Sequence, residues 1–189
     1  MTGSPDGALL VVIDMQRVFE EPDSPWAVPG FDALTAPIER LVEAFGDRVV
    51  FTRFVTPAML SGGWADYYRE WSFILEPGAA PLLDLADPWA GHDLPVIAKP
   101  TFSAYGAELQ EVARNQGAGT LILCGVSTEC CVLATALEAA DAGMSVHIVQ
   151  DACASVEAAA HESALRVAEV GFSPIIAITT VEDELDRIG

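Results

Sequence analysis

Leu121–Ala136 reads LILCGVSTECCVLATA. Its first four residues are a short apolar run, the pattern of a strand buried on both faces in a parallel sheet. Gly125 ends the run. Thr128 stands where a helix N-cap is expected, and Cys130 and Cys131 fall in the first turn of the helix that follows. A helix N-terminus carries a partial positive charge and several free N–H groups. A cysteine there has its thiolate favoured, and the same N–H groups can receive an oxyanion in acyl transfer. The local chemistry therefore points to a nucleophilic thiol. The competing reading is two small buried residues opening a packed helix. Spacing does not choose between Cys130 and Cys131, whereas Cys124, on the strand, reads as core.

Outward from this stretch the chain alternates strand and helix. Leu9–Ile13 is a continuous apolar run ended by Asp14. Phe31–Phe45 has helical spacing, with Leu34, Ile38, Leu41, Val42 and Phe45 on one face. Val49–Thr52 reads as the second strand with Arg53 and Phe54 at its end, and Pro95–Ala98 as the third, followed by Lys99. Beyond Val132–Ala142, a helix, come a strand at Met144–Val149, a turn at Asp151–Ser155, a helix at Val156–Val170 with Ser155 as its N-cap, a strand at Phe172–Ile178 and a short closing helix. Strands alternating with helices predict an α/β fold: three α/β/α layers around a mainly parallel sheet with right-handed crossovers. Ligands of such sheets bind at the carboxyl ends of strands, where Asp14 and Lys99 fall. Taken alone, Asp14 also reads as a cap and Lys99 as a surface charge.

The 189 residues fit a single domain, 1–189, long enough to bury a sizeable core. With 28 acidic and 9 basic residues the net charge is −19, which disfavours nucleic acid and anionic membrane as partners. No apolar run approaches the ~20 residues of a membrane span, and the first residues lack signal-peptide character. Four cysteines without framework spacing fit a reducing cytoplasm. The three histidines, His92, His147 and His161, lack ligand spacing, so no metal is expected. Trp64–Phe73, WADYYREWSF, is dense in aromatics. It reads either as a packing or subunit-contact face or as a wall over an apolar substrate, which makes Trp64 and Tyr68 candidates for substrate contact.

Gly125–Val132, GVSTECCV, resembles the G-[VI]-x-T-[DE]-x-C-V signature of the isochorismatase-like cysteine hydrolases, a superfamily that includes nicotinamidases, N-carbamoylsarcosine amidases and isochorismatases. Asp14-Met15-Gln16 with Phe19 resembles its D-x-Q-x-x-F opening, although Arg17 and Val18 replace the usual Asn-Asp. Lys99–Tyr105, KPTFSAY, resembles its K-x-x-[FY]-S-[AG]-[FY] segment, and Asp151, Ser155 and His161 resemble a later one read as structural. The resemblance runs nearly end to end. It implies a Rossmann-like six-stranded sheet in the order 3-2-1-4-5-6. It also implies a catalytic set of Cys131 as nucleophile, Asp14 as acid–base and Lys99 as the cation beside the thiol. Backbone N–H groups of Ser127 and Cys131 would form an oxyanion hole, with a cis peptide at Val126–Ser127. Phe19 and Tyr105 join Trp64 and Tyr68 as expected substrate contacts. Metal-binding nicotinamidases carry Asp-x-His after the second strand; Arg53–Thr56 supplies neither residue. No G-x-G-x-x-G follows strand one, so no dinucleotide is expected, and no other cofactor.

These readings together imply a metal-independent amidase acting on a small molecule, in a homo-oligomer of two or more subunits. Vinyl-ether hydrolysis, which needs no cysteine nucleophile, and a non-catalytic binding protein are the competing functions. Isochorismate is doubly anionic, and the nearby cationic candidates are few: Arg17, Arg53, Arg69 and Lys99.

Overall fold

Five consecutive residues, Leu9 to Ile13, are fully buried in strand β1 (Ala8–Ile13). Side chains alternate across a strand, so burial of both parities means that both sheet faces are covered. Burying each such side chain contributes roughly 1.5–3 kcal/mol, which sets β1 at the centre of the core. In this computed structural model, residues 7–188 are described. β1 pairs in parallel with β2 (Val49–Phe54) on one side and β4 (Thr120–Val126) on the other. β3 (Val96–Lys99) adds outside β2, while β5 (Ser145–Ala154) and β6 (Ile176–Thr179) extend the other flank. Among the described residues the sheet has the order β3-β2-β1-β4-β5-β6, every neighbouring pair parallel. The Rossmann-like α/β expectation and its strand order are met.

Helices supply both covering layers. They are α1 (Arg17–Glu20), α2 (Thr35–Phe45), α3 (Gly63–Glu70), α4 (Ala107–Asn115), α5 (Leu133–Asp141), α6 (Ala158–Phe172) and α7 (Val181–Ile188). In α2 the buried residues are Ile38, Leu41 and Phe45, the i, i+3, i+7 stripe of an amphipathic helix, and the helix packs on β1 and α7. Phe31–Leu34, expected as its first turn, is instead a separate 3₁₀ segment. Two more 3₁₀ segments, Ser72–Leu75 and Pro77–Leu83, occupy the linker.

The structure corrects several boundaries. β2 runs on through Arg53 and Phe54, and β3 includes Lys99. β5 continues past Val149 to Ala154 in place of the expected turn. Its register against β4 jumps from Leu123↔Ile148 to Gly125↔Cys153, so the chain bulges in between. Asp151, in that bulge, accepts a 2.8 Å bond from the N–H of Val181. The expected cap of α6 is not Ser155: Glu157 holds the N-cap position, and the buried Ser155 hydroxyl has no partner among the described residues.

Chain order reverses at β1, which lies between β2 and β4. That makes β1/β4 the topological switch point, with its crevice at the carboxyl ends of the strands. Gly125 lets the two strands meet there. Its φ is 109°, and a Cβ at this position would lie 2.1 Å from the Ile13 carbonyl oxygen, closer than any side chain tolerates.

Candidate active site

Asp14 leaves β1 at φ 50°, a left-handed conformation that aspartate accepts more readily than most residues. The turn drops its carboxylate, fully buried, into the crevice. Oδ1 accepts a 2.6 Å bond from the Thr52 hydroxyl on β2. Oδ2 forms a 2.7 Å ion pair with the Lys99 ammonium. Lys99 comes from β3, two strands away, and reaches across the end of β2 with Nζ 5.8 Å from the centroid of the Phe54 ring. Its ammonium donates to the Thr101 carbonyl at 3.0 Å and is favoured electrostatically by the neighbouring Cys131. Burial works against that ammonium, but Asp14 and Cys131 outweigh it and hold its pKa above the ordinary lysine value.

Cys131 sits in a π-helical turn, Thr128–Val132, that precedes α5. The Ser127 carbonyl accepts from the N–H groups of Cys130 (3.1 Å) and Val132 (3.2 Å), the neighbours of Cys131 on either side. The Val126–Ser127 peptide is cis. Thr128 does not cap this turn. Its hydroxyl lies 3.1 Å from the Ala154 carbonyl and 2.8 Å from His161 Nδ1, tying the turn to β5 and α6. Thr135 ties it to the lysine loop, donating to the Cys131 carbonyl at 2.7 Å while its hydroxyl accepts from Ala104 N–H at 2.9 Å. Gln16 clamps the other wall: its amide nitrogen donates to the carbonyls of Phe54 and Leu83, and its oxygen accepts from Phe54 N–H.

The two adjacent thiols differ. Contact with the adjacent Cys130 thiol pushes the Cys131 pKa up, aided by burial and by Asp14, while the Lys99 ammonium pulls it down. The sequence favoured a lowered value at a helix start; burial beside Cys130 and Asp14 turns the shift the other way. Cys130, half-buried, is drawn down by the same contact. Cys124 and Cys153 are core thiols pushed up by burial, the latter to about 12.

Both Cys130 and Cys131 open onto a cavity of about 370 Å³, together with Ser127. Its walls include Phe19, Trp26, Tyr67 and Trp71. Of the four side chains expected to touch substrate, Phe19 lines this cavity and Trp64, Tyr68 and Tyr105 do not. Tyr67 on α3 and Trp71, the residue just past its end, both line the cavity over the thiols. Trp64 packs 4.9 Å from Phe102. Tyr68 is buried, its pKa pushed up to about 12. Tyr105 is buried in the loop after β3, its carbonyl bonded to Gln110. Trp26, Thr52 and Thr135 were missed. A lone tryptophan in the Pro-rich loop 20–30 was the one available signal for Trp26.

A buried carboxylate paired with an ammonium, beside a thiol that opens onto the cavity, is an arrangement able to support a nucleophilic cysteine. The model of the isochorismatase domain matches residues 8–182, and the chain belongs to the isochorismatase family. It is 27% identical over 135 residues to the uncharacterized isochorismatase family protein YecD of Escherichia coli O157:H7, covering 67% of this chain and 70% of that protein. It is 44% identical over 57 residues to isochorismatase domain-containing protein 2 of Bos taurus, spanning 30% of this chain and only 28% of that relative. Among solved structures, a cysteine hydrolase from Pseudomonas syringae pv. phaseolicola 1448A superposes with a TM-score of 0.84 at 23% identity, covering 100% of this chain and 95% of the other. A pyrazinamidase of Pyrococcus horikoshii, solved in complex with zinc, gives 0.69 at 28% identity, covering 92% and 99%.

The residues present here do not fit a zinc ion. At the end of β2, Arg53 pairs with Asp84 at 3.3 Å and Phe54 faces the cavity. His92 stacks 4.2 Å from the Phe51 ring, His147 bonds Glu184, and His161 bonds Thr128. Among the described residues no three His, Cys, Asp or Glu side chains are grouped to hold a metal. Nor, among them, is any helix long and apolar enough to cross a membrane.

Proposed function

We propose that this isochorismatase-family protein is a metal-independent hydrolase that cleaves an amide or carbamoyl C–N bond of a small molecule through a thioester on Cys131. The observation that carries this reading is the Asp14–Lys99 pair, 2.7 Å apart, beside the Cys131 thiol, which itself lines the cavity.

The steps follow from the charges. Cys131 rests as a thiol, so its proton leaves as the sulfur attacks the carbonyl carbon, and Asp14 takes it. Lys99 balances the negative charge on the sulfur and, later, on the acyl adduct. The carbonyl oxygen, as it becomes an oxyanion, points to the backbone N–H groups of Ser127 and Cys131. When the C–N bond breaks, Asp14 returns the proton to the departing nitrogen. Asp14 then draws a proton from water, whose oxygen attacks the thioester; the C–S bond breaks, Asp14 returns the proton to the sulfur, and the thiol is restored.

The decisive experiment compares two variants on one confirmed substrate. Cys131→Ser retains a hydroxyl whose proton a carboxylate removes poorly, so kcat/KM falls at least ~10³-fold. Asp14→Asn is comparably damaging, because residues acting as a unit lose activity nearly as a set. Vinyl-ether hydrolysis requires the acid and not the thiol. A mild Cys131→Ser beside a dead Asp14→Asn would refute covalent catalysis.

A further inference from the structure

The cavity wall holds groups that take no part in those steps. Phe19, Trp26, Phe54, Tyr67, Trp71 and Phe102 present six rings to it. Trp26 is their hub, with centroids 6.1 Å from Phe19, 5.9 Å from Phe54 and 6.0 Å from Trp71. Tyr67 and Phe102 lie 5.5 Å apart edge to face. The rings therefore hold one another, and the cage exists before any ligand arrives.

Two carboxylates, Glu129 and Glu157, line its open side, both solvent-exposed. No lysine or arginine is among the described residues that line it. The nearest ammonium, Lys99, is already paired with Asp14, while Arg17 and Arg53 pair with Asp87 and Asp84. The net charge of −19 adds to the same sign. Aromatic faces attract cations and carboxylates reject anions, so the cavity sorts ligands by charge.

We propose, resting on the reading that Cys131 attacks an amide, that the substrate is the amide of an organic cation. Its carboxamide meets Cys131, and its ammonium lies among the rings with Glu129 and Glu157 at the edge. The same field excludes the doubly anionic substrates that vinyl-ether hydrolysis would require.

Three para-substituted benzamides, the first two matched in shape, test this. They carry a 4-trimethylammoniomethyl, a 4-neopentyl or a 4-carboxymethyl group. Binding is measured by calorimetry on Cys131→Ala, and turnover of the unmodified enzyme by ammonia release. The cation should bind ~10-fold tighter than its neutral isostere, and the anion weakest of the three. Raising salt to about 0.5 M should narrow the ratio, since the carboxylates are exposed to screening. Glu129→Gln combined with Glu157→Gln should shrink the cation-to-neutral ratio to a few-fold. Equal binding of cation and neutral isostere, or an anion that binds as well as the cation, would overturn the proposal. Preferential binding of the cation without ammonia release leaves charge selection standing and removes the amidase reading. Equal binding with equal turnover of all three does the reverse.

Discussion

Lys99→Met removes the partner of a carboxylate with no exposed surface. Asp14 is fully buried and the Lys99 side chain is 5% exposed, their charged atoms 2.7 Å apart. Beyond the ammonium, the Asp14 carboxylate has, among the described residues, the Thr52 hydroxyl on its other oxygen and no further partner. Breaking a buried pair by deleting one member typically costs ~3–5 kcal/mol, because the survivor stays desolvated and uncompensated. Asp14→Asn leaves the ammonium with the Thr101 carbonyl and should cost a similar amount. Asparagine tolerates a φ of 50° as aspartate does, so backbone strain does not confound that variant. The double variant removes both charges and should lie within ~1–2 kcal/mol of the unmodified protein. Urea titrations followed by tryptophan fluorescence, with m held common, give the three differences. A coupling of ~3 kcal/mol or more is expected. Single variants losing under ~1 kcal/mol, or a double variant equal to their sum, would show that the pair is solvated and that the burial argument fails.

Three further tests address other parts of the structure. Gly125→Ala drives a Cβ into the Ile13 carbonyl and should destabilise by ~3 kcal/mol or more, while Gly119→Ala, with open space around it, should change stability by under ~1 kcal/mol; equal urea midpoints would refute the close approach. Cys130→Ala removes the largest cause that raises the Cys131 pKa, so the pH midpoint for iodoacetamide labelling of Cys131, read by mass spectrometry, should move down; an upward move would reverse the assignment of roles between the two thiols. Exhaustive chelation should leave turnover unchanged, and a stoichiometric metal recovered by elemental analysis, with activity lost on its removal, would overturn the metal-free mechanism.

What the sequence discloses depends on how local the cause is. The run Leu9–Ile13 announces a doubly covered strand by itself, and strand ends mark Asp14 and Lys99 as candidates, whereas choosing Cys131 over Cys130 took the resemblance to the family signature. Hydroxyl partners are a different matter. Thr128 and Ser155 look like helix caps from their neighbours in sequence, yet Thr128 spends its hydroxyl on Ala154 and His161, and Ser155 caps nothing. Thr52 and Thr135 look like strand and helix filler, and become supports of the site only when β1 and the loop after β3 are folded against them. The length of β5 was hidden because its bulge interrupts the apolar pattern at Asp151. The rise in the Cys131 pKa was illegible for the same reason: helix position argues one way, and burial beside Cys130 and Asp14, which only the fold creates, argues the other.

The place of β1 in the sheet also bears on how the chain is made. β1 leaves the ribosome before its partner β4, matched Leu9 to Leu121, which emerges about a hundred residues later. At ordinary synthesis rates that interval is on the order of ten seconds. During it, a five-residue apolar strand has β2 available on one edge and nothing on the other, an open template for another chain. Newborn chains of this protein should therefore be hardest to keep apart before Thr120–Val126 is translated, and holdase chaperones should engage them most at that length.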